Sequence, residues 1–146
     1  MSGQVHFFNE DVEFKLKHKT ILRNWISSII ESESQSLDEI NYIFCSDDYL
    51  LDINRQYLNH DYYTDIITFD NREGAEEPIL SDIFISVDRI KDNAQNLGVK
   101  FSEELHRVLI HGILHLLGHS DKTEQQQADM RKREEASLSL LHIPTK

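Results

Sequence analysis

Residues 102–118, SEELHRVLIHGILHLLG, constrain this chain more than any other stretch. The segment opens on Ser102, a serviceable N-cap, and closes on Gly118, a residue suited to a left-handed helix terminator, so it predicts one long helix. Within it His111 and His115 stand four apart, which places both imidazoles on one face, one turn from each other, where they can converge on a single ion. Zinc favours about four ligands, so a further protein ligand has to arrive from another direction. Gly118 lets the chain turn back, and Asp121 follows at the right distance to supply it. His119, directly after the turn, is the alternative.

The layout His111, His115, Gly118, Asp121 reads H-x-x-x-H-x-x-G-x-x-D. That is the metal-binding frame of the metzincin zinc proteases with an aspartate in the third ligand slot. In a zinc peptidase the residue after the first histidine is a glutamate that takes the proton from metal-bound water. Here that position is Gly112, which can do no acid–base chemistry. A glycine inside a helix costs about 1 kcal/mol relative to alanine, which hints at close packing or at an ion near the backbone. The metal frame is present and the peptidase machinery is missing, so a peptidase is disfavoured.

The rest of the chain suits a soluble protein: 146 residues, 39% hydrophobic and 28% charged, enough for one domain spanning 1–146. Its longest apolar runs are too short to cross a bilayer, and MSGQVHFFNEDVEF lacks the basic start and apolar stretch of a signal peptide. Cys45 has no partner for an internal disulfide and lies in an apolar run, which predicts a buried structural thiol. These features point to the cytoplasm. A net charge of −11 argues against indiscriminate binding of phosphate backbones, so a nucleic-acid partner would have to be held by a local basic patch or through a metal. The basic groups Lys15/Lys17/Lys19, Arg89/Lys91 and Arg131/Lys132/Arg133 read as solvated faces.

Periodicity predicts short strands in QVHFFNE and VEFKL and an amphipathic helix over about 18–32. It also predicts strands over 39–45, 65–69 and SDIFISV, with a helix in YLLDINRQYL between the first two. NREGAEEP is a loop by its Gly and Pro. A helix over 88–97 ends at Gly98, and Thr123 opens the last helix with Gln126 in the capping-box position. This order predicts an α+β fold: a single small mixed β-sheet with helices packed on it, one of them the metal-binding helix of metzincin type.

RVLIHGILHLLGHSDKT resembles the signature of the YbeY family, bacterial metal-dependent endoribonucleases of ribosome maturation and rRNA quality control. INRQYLNHDYYTDIITFD and LSDIFIS resemble two further family segments in the same order, with Ser81 in place of a glycine. The resemblance implies an α+β fold and a zinc-like site with one divalent ion per chain. It implies a single-strand-specific endoribonuclease acting on rRNA, at the 16S 3′ end, with RNA and ribosomal small-subunit proteins as partners. His111 and His115 fall on the first two family ligands and Asp121 on the third, a histidine in the family. Ser120 replaces a family aspartate and Tyr63 a proline. Leu58 stands where the family has a functionally important arginine. Arg55, about one helical turn earlier, could supply that charge from the same face, so His111 and Arg55 are the candidate catalytic residues. Thr64, Asp65 and Thr68 resemble the family's cleft-lining segment, and Glu104 and Arg107 read as solvated helix surface. The contrasting function is a ribosome assembly factor whose metal is structural and which cleaves nothing.

Overall fold

The structure is a computed structural model that describes residues 3–144. Met1, Ser2, Thr145 and Lys146, which the expectations for the N-terminus and for a unit over 1–146 include, lie outside the described residues. The elements run β1 (Gln4–Asn9), α1 (Lys19–Ser32), β2 (Leu37–Cys45), α2 (Asp47–Leu58), β3 (Ile66–Asp70), β4 (Ile79–Ser86), α3 (Val87–Leu97), α4 (Phe101–Leu116) and α5 (Glu124–Leu138). The strands form one sheet in the order β1-β2-β4-β3. β1 and β4 each pair with β2 in parallel, and β3 closes on β4 antiparallel through the loop 71–78. The fold is therefore α+β with a mixed sheet, as the element order predicts. Among the described residues no helix is long and apolar enough to cross a membrane.

Alternation in the strands separates the two faces. Ile40, Tyr42 and Phe44 of β2 and Ile83 and Ile85 of β4 are buried against α1 and α4, in the same cluster as Leu22, Ile26, Leu109 and Ile113. The opposite face carries a smaller cluster in which Cys45 and Ile67 meet Leu50 and Ile53 of α2. Cys45 is the buried thiol that its sequence context predicts, pushed up to about 12 by burial and then by neighbouring acids such as Asp11 and Asp88. Buried Tyr42 also ties the sheet to the metal-motif helix, its hydroxyl donating to the Leu109 carbonyl at 2.9 Å.

Gly112 is where α4 comes closest to the sheet. A Cβ on it would lie 3.0 Å from Ile66 Cδ1, 3.3 Å from Thr68 Oγ1 and 3.5 Å from Ile83 Cδ1. The glycine therefore reflects close packing. The same packing explains the missing glutamate, because a side chain at 112 would point into strands β3 and β4.

Two expectations are corrected. VEFKL forms no strand. Phe14 is instead drawn inward, edge-on to Phe44 and Phe101 at 5.0 and 5.8 Å between ring centroids, while Arg23 donates to the Val5 carbonyl of β1 at 2.8 Å. Helix α4 starts before Ser102: its N-cap is Lys100, whose N–H is met by the Glu103 carboxylate at 3.4 Å. Gly98, left-handed at φ 71°, ends α3 so sharply that α4 can begin within a few residues.

Gly112→Glu should destabilise the fold by about 3 kcal/mol or more, by overpacking and by burying a carboxyl, and should create no peptidase activity. Urea unfolding and a peptide panel would check both. Burial, reinforced by His18, holds His106 below its ordinary value of 6.5. The unfolded chain therefore takes up a proton there that the folded chain refuses, and stability falls as pH drops below that value. His106→Leu should shrink the stability difference between about pH 7.5 and about pH 5.5, measured by urea unfolding.

Candidate functional site

The end of α4 sets the site. Gly118, at φ 103°, turns the chain out of the helix while its N–H and that of His119 cap the carbonyls of His115 and Leu114, both at 3.0 Å. A buried guanidinium holds the same helix end: Arg72, on the β3–β4 loop, donates to the Leu116 carbonyl at 2.8 Å and to Asp70 at 2.7 Å. The reversal brings Asp121 back over the histidine face.

His111, His115 and Asp121 offer ligand atoms that all lie within 4.8 Å of one another. The His111 and His115 Nε2 atoms are 3.1 Å apart, and Asp121 Oδ2 is 3.5 Å from the first and 3.4 Å from the second. Ligands on a tetrahedral zinc at about 2.0–2.1 Å stand roughly 3.4 Å from each other, so this triangle has the dimensions of one face of a zinc coordination sphere. Two imidazoles and one carboxylate also suit that ion chemically. His119 is not part of the triangle. Its Nε2 faces the Glu33 carboxylate of α1 at 2.8 and 3.0 Å.

A carboxylate from the last helix stands behind the first ligand. His111 Nδ1 lies 2.6 Å from Glu134 Oε2, and Glu134 is 2% exposed. Donation from Nδ1 to that carboxylate leaves the Nε2 lone pair facing Asp121 and His115, the arrangement in which an acid hydrogen-bonded to the far ring nitrogen orients a metal-binding imidazole. Arg107 in turn bridges the acids: it donates to Glu104 at 2.9 and 2.7 Å and to both Glu134 oxygens at 3.3 Å. Glu104 and Arg107 are thus not solvated surface as the sequence suggests, since Glu104 is 2% exposed. Burial and the neighbouring His111 lower the His115 pKa, which favours the neutral imidazole that a metal needs.

The triad opens on a cleft of about 750 Å³ walled by Asn54 and Leu58 of α2, by Thr64 and Asp65, by Thr68 of β3 and by Lys122. Burial pushes the Asp65 carboxyl above the usual range, against opposing pulls from Arg107 and His111. Its Oδ2 accepts from Asn93 at 3.2 Å. Arg55 is not brought to the cleft. It is half exposed and points along the surface, pairing with Asp61 at 2.5 Å and Asp52 at 3.8 Å. The cleft-facing positions of α2 are Asn54 and Leu58, four residues apart, and Arg55 falls off that face. Lys122, which the sequence reading passed over, supplies a cation on the wall.

A family model described as "Endoribonuclease YbeY" matches residues 4–142. The chain belongs to the YbeY family. It is 54% identical over 136 residues to the endoribonuclease YbeY of Cytophaga hutchinsonii, covering 93% of this chain and 94% of that one. The Flavobacterium psychrophilum endoribonuclease YbeY is 49% identical over 136 residues, covering 93% and 96%. A solution structure of a Thermotoga maritima protein shares the fold, with a TM-score of 0.61 at 24% identity over 93% of this chain and 90% of the other.

Glu134→Gln should weaken divalent-metal binding about 10- to 100-fold while the metal-free protein keeps its melting temperature within a few degrees. Competition with a chromophoric chelator and a thermal melt measure the two quantities. Unchanged affinity would leave Glu134 a purely structural partner of Arg107.

Proposed function

We propose that this chain is a metal-dependent endoribonuclease that cuts single-stranded RNA and acts in rRNA maturation at the 16S 3′ end and in ribosome quality control. The observation that carries the reading is the zinc-sized triangle of His111, His115 and Asp121 at the head of an open cleft, in a chain of the YbeY family. We further assign one zinc ion per chain, ribosomal RNA and small-subunit proteins as partners, the cytoplasm as location and residues 1–146 as one functional unit. Relatives named endoribonucleases at 54% and 49% identity support the reaction class.

The roles follow from position. His111, His115 and Asp121 would hold the ion, which supplies Lewis-acid charge stabilisation at a phosphate oxygen and acidifies a water. Lys122 offsets the negative charge of the scissile phosphate, the task for which Arg55 is turned the wrong way. Asp65, a carboxyl on the cleft wall whose proton affinity is raised by burial, receives the proton that the attacking oxygen gives up as its bond to phosphorus forms; the bond from phosphorus to the leaving ribose oxygen breaks, and that oxygen takes a proton from solvent. Thr64 and Thr68 line the bed on which the strand lies. Gly112 contributes no acid or base, which separates this chemistry from peptide hydrolysis.

Two outcomes check the assignment. His111→Ala, purified in parallel with the wild type, should lose both bound metal and cleavage of a single-stranded RNA while remaining folded. Metal-loaded wild type without cleavage would favour the assembly-factor role, and equal cleavage in both would reveal a contaminating nuclease. Asp65→Asn should keep its metal and lose about 100-fold or more in cleavage rate, and retention of full activity would remove Asp65 from the mechanism.

A further inference from the structure

Helix α2 and strand β3 are joined by residues 59–65, and that connection is pinned along its length. Asn59, left-handed at φ 57°, ends the helix. Asn54, 1% exposed, then clasps the chain twice: its carbonyl accepts from the His60 N–H at 3.1 Å, and its Nδ2 donates to the Tyr62 carbonyl at 2.9 Å. Tyr63 is tied back separately, its hydroxyl donating to Asp48 at 3.2 Å and its ring lying under the Arg89 guanidinium at 5.3 Å.

Between these anchors His60 and Tyr62 stack on each other. Their ring centroids are 5.1 Å apart, their planes differ by 21°, and the Tyr62 hydroxyl stands 2.9 Å from His60 Nδ1. Both residues line the metal cleft beside Leu58. Neither ring belongs to a hydrophobic core cluster, and Tyr62 is 55% exposed. Burial therefore does not account for the pair; the anchored backbone holds it at the cleft wall. The cleft is also poor in positive charge. Among the described residues Lys122 is the one lysine or arginine that lines it, and the chain carries a net charge of −11. With few phosphate contacts on offer, a bound strand has to be held largely by its bases. Stacking on aromatic rings does this without charge and tolerates any sequence, because every base has a π-face.

We propose that His60 and Tyr62 form a base-stacking subsite of the cleft, which takes the face of one unpaired nucleobase of the RNA strand. The inference rests on the reading of the chain as an endoribonuclease. Two stacked rings still present their outer faces, and a purine or pyrimidine extends the stack. Histidine and tyrosine are both side chains on which splayed-out RNA bases stack. The anchored loop fixes the rings before the strand arrives, so little freedom is lost on binding. A base inside a duplex has both faces covered by its neighbours and cannot enter, so the subsite selects single strands.

The test is fluorescence anisotropy of the metal-loaded full chain with a short single-stranded RNA and with a strand of equal length and phosphate charge that carries no bases. The wild type should bind the RNA at least about tenfold more tightly than the base-free strand. His60→Ala combined with Tyr62→Ala should remove most of that preference and leave binding of the base-free strand as it was. Tyr62→Phe, which keeps the ring, should retain the preference. The loop anchors are Asn54 and backbone groups, which these substitutions leave in place, and a thermal melt checks that the fold is kept. A wild type without the preference, or a double variant that keeps it in full, would overturn the proposal. Cleavage by the same samples separates the two readings: the double variant should raise KM and leave kcat within about twofold. A wild type that shows the ring-dependent preference and cuts nothing would sink the endoribonuclease reading and leave the stacking subsite standing. One that cuts, with a preference indifferent to both rings, would do the reverse.

Discussion

The contact between Gly112 and the sheet is the constraint on which the site rests. A helix turns by roughly 100° per residue, so a residue pressed onto β3 and β4 fixes the direction of its neighbours. With Gly112 against Ile66, Thr68 and Ile83, His111 and His115 emerge on the flank of the helix, above the cleft edge of β3. A larger residue would lift or roll α4, and both imidazoles would move with it. The residue type that excludes peptidase chemistry is thus also the one that aims the metal ligands.

Behind the ligands lies a cluster of charges removed from water. Glu104 and Glu134, each 2% exposed, share one guanidinium, so by formal count the group keeps one unit of negative charge. Such a group is costly to bury unless every oxygen is hydrogen-bonded and a further positive charge lies near. Both conditions are met around His111: Asn93 and Arg107 occupy the carboxylate oxygens, and Glu134 faces the imidazole that would carry a cation. Among the described residues no buried side-chain polar atom lacks a partner. The acidity of this interior suits the binding of a divalent ion more than it serves stability.

What the sequence discloses, and what it hides, follows from range. The histidine pair, the glycine turn and Asp121 sit within eleven consecutive residues, so the helix and the turn that ends it bring them together. Glu134 comes from another helix, and α5 is so polar that only Met130, Glu134 and Ser137 are buried in it. A buried glutamate among EQQQADMRKREEASL looks like any solvated one. Arg55 illustrates the opposite error: one turn from Leu58 is close along the chain, yet the three-residue step carries it off the cleft face, and the nearby acids Asp52 and Asp61 hold it there. VEFKL alternates like a strand, but it joins no ladder, and Phe14 instead packs edge-on to Phe44 and Phe101.

The β3–β4 connection at residues 71–78 looks like the sort of surface hairpin loop that accepts insertions and sequence drift. Arg72 changes that. Its guanidinium, 5% exposed, reaches from the loop to the Leu116 carbonyl that ends α4 and to Asp70. The loop therefore divides into two zones of unequal tolerance. Its tip, from Glu73 to Glu77, bonds within the loop, the Ala75 carbonyl accepting from Arg72 at 3.3 Å and the Gly74 carbonyl from the Glu77 N–H at 3.1 Å, while its first residues are bound to the helix that bears the histidines. Grafts, tags or circular permutation in this hairpin belong at the tip, and an insertion displaced by two residues toward β3 would loosen the end of α4 that carries His111 and His115 without touching either.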